Sequence, residues 1–334
     1  MENLTHALTG WTLARAGLDR QVPAGGALLI LAANVPDVDV LAAIRGSAAY
    51  LDHHRGITHS LAASPAMAAI CVLPFALWRR GGFPWLRAWL GAWAAVLSHL
   101  AWDWTNIYGI RLFEPFSSAW LRADWVSVLD PAVWLILIAG SFWPFLSRLV
   151  SQEIGARPRD GRGAAVAILV LLCVYVGARG VLHARAIETI ESRIYEEGPP
   201  TRVAALPDLL NPFRWQAIIE HPNAVRLTRV MLHQEFDPTS GRLYYRGQGQ
   251  HTVARIAART EPFQVFQRFS AFPYWTVSST HYGDWGGFIV EVCDLRFGQP
   301  GEGRFTARAL LDHRHELVES GFQFSPKGQL PRPR

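Results

Sequence analysis

Lysine is almost absent from this chain: Lys327 is the only one in 334 residues, although Lys and Arg together number 32. A nucleic-acid surface clusters its cations on one face or along one helix. Here the arginines are scattered or stand between apolar runs, so the net charge of +5 reads as lipid-headgroup contact and membrane topology, with no nucleic-acid partner. Cysteine is scarce too. Cys71, Cys173 and Cys293 lie far apart, the first two inside apolar runs, which excludes a disulfide framework and a thiolate metal cluster. A basic stretch ahead of the first apolar residues is also missing, so MENLTHALTGWTLARAG does not read as a removed signal peptide. There is no internal repeat.

What is present is apolar and aromatic. Half of the residues are hydrophobic, Trp occurs 14 times, and the mean hydropathy is +0.11. That combination suits a polytopic membrane protein with interfacial aromatics. The apolar runs stop at about Leu182. Residues 61–78, 86–104, 131–150 and 164–182 read as spans, and 4–18 and the run ending at Val35 as shorter, tilted or re-entrant helices. Arg79, Arg80 and Arg87 follow the first span, and Arg148, Arg157, Arg159 and Arg162 outweigh Glu153 and Asp160 after the third. The positive-inside rule puts both loops in the cytoplasm, and alternation puts residues 36–60, 104–130 and everything after Leu182 on the other side.

The expected fold is therefore mixed: a polytopic α-helical membrane domain over residues 1–185, followed by a small antiparallel β domain over 223–322. A Pro-rich connector, 186–222, joins them, with Asn211, Pro212, Phe213, Arg214 and Trp215 along the membrane surface, and residues 323–334 form a disordered tail. Strand-like runs fall at 224–233, 242–245, 263–269, 274–278, 287–294 and 304–311.

The chemistry is concentrated in NVPDVDVLAAIRGSAAYLDHHRGITHS, residues 34–60. Asp37 and Asp39 follow Pro36; His54 and His59 stand five apart around Gly56, with Arg55 between them suited to an oxyanion. His99 and Asp103, four apart on one helix, project from one face, so they can share an ion or the Asp can orient the His. With His6, these residues all sort to the extracytoplasmic ends of the spans. His6, Asp37, Asp39, His54, His59, His99 and Asp103 are the candidate metal ligands, enough for one or two ions. Oxygen and imidazole donors suit a divalent metal, zinc first, with Mn, Fe or Mg open. Such a centre lowers the pKa of a bound water and holds an electrophile's oxygens, as in phosphoester cleavage. Asp39, His54, Arg55 and Glu114 are the candidate catalytic residues. Asp130 reads as a helix cap. In the β domain Ser278, His281 and Asp284 crowd one turn without a nucleophile elbow, which argues against a catalytic triad.

Four strings, THALTG at 5–10, PDVD at 36–39, HHRGITHS at 53–60 and SHLAWDWTN at 98–106, resemble a bacterial and archaeal family of inner-membrane, predicted metal-dependent hydrolases, also described as LexA-binding and membrane-associated. The resemblance covers about residues 1–185. It implies an inner-membrane, multi-pass location and matches the seven candidate ligands to the family's metal-holding positions. The sequence reads as a membrane-embedded metal-dependent hydrolase facing membrane lipids, with a phosphoester of a lipid or lipid-linked molecule as substrate. The alternatives are a metal-stabilised scaffold or binding protein and, ranked lower, a metal or proton transporter. Residues 62–77 and 165–176 carry no ionisable group that could continue a proton relay.

Overall fold

A computed structural model of the chain describes residues 1–79, 81–153, 161–282 and 285–324. The loop residues Arg80, Arg157, Arg159 and Asp160, Asp284 of the polar string, and the tail from residue 325 lie outside the described residues. The chain is a helical, membrane-like region followed by an antiparallel β domain, as the composition change at Leu182 predicts. Contacts divide it into two compact units: Met1–Asp39, Arg55–Ala186 and Leu206–Trp215 form the first, and Val40–His54, Ile187–Ala205 and the chain from Gln216 form the second.

In the first unit, α1 (Asn3–Leu13) and α2 (Gly25–Asn34) pack closely. A Cβ on Gly10 would stand 2.6 Å from the Leu29 carbonyl oxygen, so only glycine allows these backbones to approach. The 3-10 turn Val35–Arg45 continues from α2, and the short α3 (Ser47–His53) follows within the second unit. Then come α4 (Ser64–Arg79), α5 (Trp85–Thr105), α6 (Pro131–Glu153) and α7 (Arg162–Glu191), at the positions of the four expected spans.

By length and composition, Gly25–Arg45 and Arg162–Glu191 can each cross a membrane. A third crossing arises if Ser47–His59 and Ser64–Arg79, bent by 85°, act as one broken span. The first of these differs from expectation: the run ending at Val35 is longer than it reads, because the 3-10 turn carries its apolar character on to Arg45. The 21-residue α5 is long enough at about 31 Å, but with Arg87, His99 and Asp103 along it, it is not among the helices that can cross by composition. It packs on α1, α2 and α4, burying Ala88, Ala92, Ala95 and Val96, small side chains that admit three neighbours. Asp130 caps α6, accepting from the Ala132 and Val133 amides at 3.0 and 3.2 Å, and also accepts from the Tyr175 hydroxyl of α7. That is the capping role its position before Pro131 suggests.

The region expected as a connector is not featureless. It holds the end of α7 and two strands, β1 (Arg202–Pro207) and β2 (Arg214–Glu220). Their buried residues include Ala204, Ala205, Ile218 and Ile219, and the surrounding prolines mask this short pattern. Between them, residues 206–215 pack with the helices: Trp215 is fully buried under the Arg179 guanidinium, 4.5 Å from its ring centre.

One sheet runs β1-β2-β3-β4, with β3 (Ala224–Met231) antiparallel to β4 (Arg242–Tyr245) in the register Val225 to Tyr244. The other is antiparallel throughout, in the order β5 (Pro273–Tyr282), β6 (Trp285–Asp294), β7 (Thr306–Asp312) and β8 (Leu317–Gln323). Between the sheets in sequence lie α8 (Thr252–Ala257) and α9 (Glu261–Phe269). Residues 263–269 are therefore helical, where the aromatic content predicts a strand. Phe263, Phe266 and Phe269 recur every three residues behind Pro262 at the helix start, and all three are buried.

Candidate metal centre

Four elements of the first unit supply the site. The end of α2 leads into the turn carrying Asp37 and Asp39, the turn before α4 carries Arg55 and His59, α5 carries His99 and Asp103, and α1 carries His6. The i,i+4 spacing on α5 brings His99 Nε2 to 3.3 Å from Asp103 Oδ2. His59 Nε2 lies 3.0 Å from His99 Nε2 and 3.4 Å from both Asp103 Oδ2 and Asp37 Oδ1, and His99 Nε2 lies 3.6 Å from Asp37 Oδ1. Each of Asp37, His59, His99 and Asp103 thus offers one donor atom to a common centre.

The outer partners orient these donors. His99 Nδ1 stands 2.7 Å from the Ala33 carbonyl oxygen, which can only accept, so this nitrogen carries the proton and Nε2 keeps its lone pair. His59 Nδ1 faces Asp39 Oδ2 at 3.2 Å, and the Thr58 hydroxyl donates to the same oxygen at 3.0 Å. Its Nε2 is likewise turned inward. Two imidazole Nε2 atoms 3.0 Å apart between two carboxylates need a proton or a metal cation between them. Donors about 2.0–2.1 Å from a tetrahedral zinc stand about 3.3 Å from each other, which the observed 3.0–3.6 Å spacings match. The residues therefore fit a divalent ion.

Asp37 offers Oδ1 to the group of four, and Asp39 faces His59 Nδ1 and accepts from Thr58. His6 stacks on His99 with ring centres 3.7 Å apart, and its Nε2 is 3.6 Å from Asp103 Oδ1; neither of its ring nitrogens has a hydrogen-bond partner. Arg55 is buried and points inward. It contacts Asp103 Oδ1 at 3.1 Å, donates to Asn106 Oδ1 and the Gly109 carbonyl at 3.3 Å, and lies over the Tyr108 ring. The guanidinium thus forms a charge pair with the Asp103 carboxylate of α5.

Gly109, at φ +85°, brings its carbonyl within reach of Arg55; a Cβ there would meet the Leu121 carbonyl at 2.8 Å. His54 caps the end of α3 in the second unit, its ring stacked on Tyr50 at 4.6 Å. Glu114 pairs with Arg111 at 3.0 Å. Sequence reasoning missed two contributors at Asp103: the Met1 amino group, which donates to Oδ1, and Asn106, which connects Arg55 to the Tyr108 amide. Asn106 stands three residues after Asp103, at helical spacing, and that was its only signal.

The division between donor and orienting carboxylates has a measurable consequence. Asp39→Asn is expected to weaken metal affinity by about 10–100-fold while leaving the donor atoms in place, whereas Asp37→Asn removes a donor. Metal titration of both variants in detergent checks the order, and equal losses would contradict it.

This geometry is a buried His/Asp cluster that could hold a metal ion, set among membrane-like helices. Residues 1–186 match the model of the YdjM inner membrane protein family, and the chain belongs to that family. Over 325 residues it is 23% identical to the uncharacterized protein YfhP of Bacillus subtilis (strain 168), covering 94% of this chain and 92% of that protein. The similarity to YfhP thus extends through the β domain. No solved structure matches the chain.

Proposed function

We infer that this chain is a metal-dependent hydrolase of the membrane, acting on a phosphoester of a lipid or lipid-linked substrate. The observation that carries the reading is the pair of inward-turned Nε2 atoms of His59 and His99, 3.0 Å apart and flanked by Asp37 and Asp103. Zinc is the first choice for that donor set, with Mn, Fe or Mg as alternatives and a second ion the open case. When bound, the ion supplies Lewis acidity and a water of lowered pKa.

The chain's own residues hold and orient. Asp37, His59, His99 and Asp103 present donors; Asp39 with Thr58 fixes the His59 ring; Ala33 fixes the His99 ring; Arg55 with Asn106 holds the remaining Asp103 oxygen. Asp37 keeps 15% of its side chain exposed while the other three donors have none, so substrate meets the centre on the Asp37 side. Glu114, on the loop whose Arg111 amide donates to the Arg55 carbonyl, is the residue that moves a proton, and Glu114→Gln should lower turnover with metal content unchanged. A metal-stabilised scaffold would share the ligands but not the turnover.

The test is purified full-length protein in detergent, assayed for bound metal and for cleavage of a lipid phosphoester and of bis(p-nitrophenyl) phosphate. About one ion per four-donor group and metal-dependent cleavage are expected. Equal cleavage by wild type and His99→Ala would sink the reading. The loop arginines Arg79 and Arg87 support an extracytoplasmic site and β domain. An alkaline phosphatase fused at the C-terminus should accordingly be active, and a fluorescent fusion that matures only in the cytoplasm should stay dark.

A further inference from the structure

The outward face of α4 is apolar from end to end. Ile70, Leu73, Leu77 and Trp78 are 49–74% exposed, a stripe suited to lipid. Exposed apolar residues also precede the helix in sequence: Leu61 and Ile57 are 44% and 49% exposed, and Ile57 stands two residues before His59. A second loop lies against the same turn: Leu61 donates its amide to the Leu112 carbonyl, and Arg111 donates to the Arg55 carbonyl, both at 3.0 Å. From that loop Phe113 and Phe116 stand out, 50% and 88% exposed. Leu112, between these contacts, packs on the helical core, which anchors the loop to the membrane helices.

On the other flank Val38, 46% exposed, separates Asp37 from Asp39. The one partly exposed donor is therefore bordered in sequence by an apolar side chain, and the turn that carries His59 is rimmed by others. A centre serving small soluble anions needs a polar, hydrated rim. Here the exposed side chains beside the His59 turn and on the Leu112 loop include Ile57, Leu61, Phe113 and Phe116.

We propose, building on the hydrolytic reading of the same centre, that its mouth opens sideways to the bilayer at Val38, Ile57, Leu61, Phe113 and Phe116, and admits a phosphoester carrying a long hydrocarbon chain. The polar head lies toward Asp37 and the chain follows the α4 stripe. Phe113 and Phe116 sit in the lipid, holding the loop at the membrane surface.

The first arm of the test needs no catalysis. Cys71 and Cys293 are buried, so replacing Cys173 with Ala leaves a background in which Phe116→Cys or Ile57→Cys can be labelled with a bimane dye. In nanodiscs of equal phosphatidylcholine and phosphatidylglycerol, lipid bearing a nitroxide on the upper acyl chain should quench both labels. Aqueous iodide should quench them far less than a label at Tyr245→Cys, a 71% exposed position of the β domain. Iodide quenching equal to that control overturns the proposal.

The second arm compares substrates. Phe113→Ser with Phe116→Ser should leave metal content intact and lower cleavage of a long-chain lipid phosphoester by roughly tenfold, with bis(p-nitrophenyl) phosphate cleaved as before. An equal loss on both substrates counts against lateral access. If wild type cleaves neither substrate, the hydrolytic reading fails, and the quenching arm still decides whether the mouth faces lipid.

Discussion

Asp103→Asn protein, purified in detergent from metal-supplemented cells, is expected to emerge essentially without metal, with affinity reduced by at least ~100-fold. Asp103 is the residue most heavily used at the centre. Its Oδ2 stands 3.3–3.4 Å from both histidine Nε2 atoms, and its Oδ1 receives Arg55 at 3.1 Å. Replacing the carboxylate by an amide removes a donor and also leaves the buried Arg55 guanidinium without its counter-charge. Breaking a buried pair in this way costs about 3–5 kcal/mol, so a lower melting temperature should accompany the metal loss. His99→Ala separates the two effects. It deletes a donor but leaves Arg55 and Asp103 together, so metal should be lost with a smaller drop in stability. Full metal occupancy in both variants, measured by mass spectrometry of the purified chains, would refute the ligand assignment.

The second large effect lies in the β domain. Asp294 and Arg296 are both buried, and Arg296 reaches Asp294 Oδ2 at 2.7 Å while Ser270 Oγ and the Ala271 amide donate to the same carboxylate oxygen at 3.0 and 2.9 Å. Arg296→Met is expected to destabilise this domain by about 3–5 kcal/mol, because the carboxylate stays buried after its cation has gone. The same pair sets a pH dependence. Burial alone would raise the Asp294 carboxyl, but the Arg296 charge and the hydrogen bonds outweigh it and hold the group below the ordinary carboxylate value. A carboxyl depressed in the folded state adds stability above its unfolded pKa and loses it as acidification carries the pH down through the folded value. Thermal unfolding of the full chain should therefore show an acid-side decline from this pair that Arg296→Met lacks. Identical acid limbs in both proteins would rule the pair out as its source.

Much of the helical unit is legible in the sequence, since apolar runs of 16–23 residues leave few alternatives. Asp37, His59, His99 and Asp103 are legible as polar residues sorted to one end of the spans. What could not be read is how the two neighbouring carboxylates differ in their contacts. Asp37 and Asp39 are two positions apart in the same turn, and their roles depend on how Arg55 and Thr58 fold back onto Asp39. The pairing of Arg55 with Asp103, 48 positions later, is hidden for a related reason: a lone arginine among histidines reads as an anion handle. The β domain was harder. Strands β1 and β2 are short and set among prolines, and α9 carries so many aromatics that its three-residue period passes for a strand.

The backbone amide of Arg55 donates to Asp39 Oδ2 at 2.8 Å, joining two residues 16 positions apart. The intervening segment, Val40–His54, belongs to the second unit, so the ligand-bearing ends are clasped together whatever the segment between them does. In polymer terms it is a loop closed at its neck. Closing such a loop costs only about 0.6 kcal/mol more for each doubling of its length, so residues can be added at its tip with little strain on Asp37 or His59. Relatives with longer or shorter excursions here could therefore keep one metal chemistry while changing what the excursion touches.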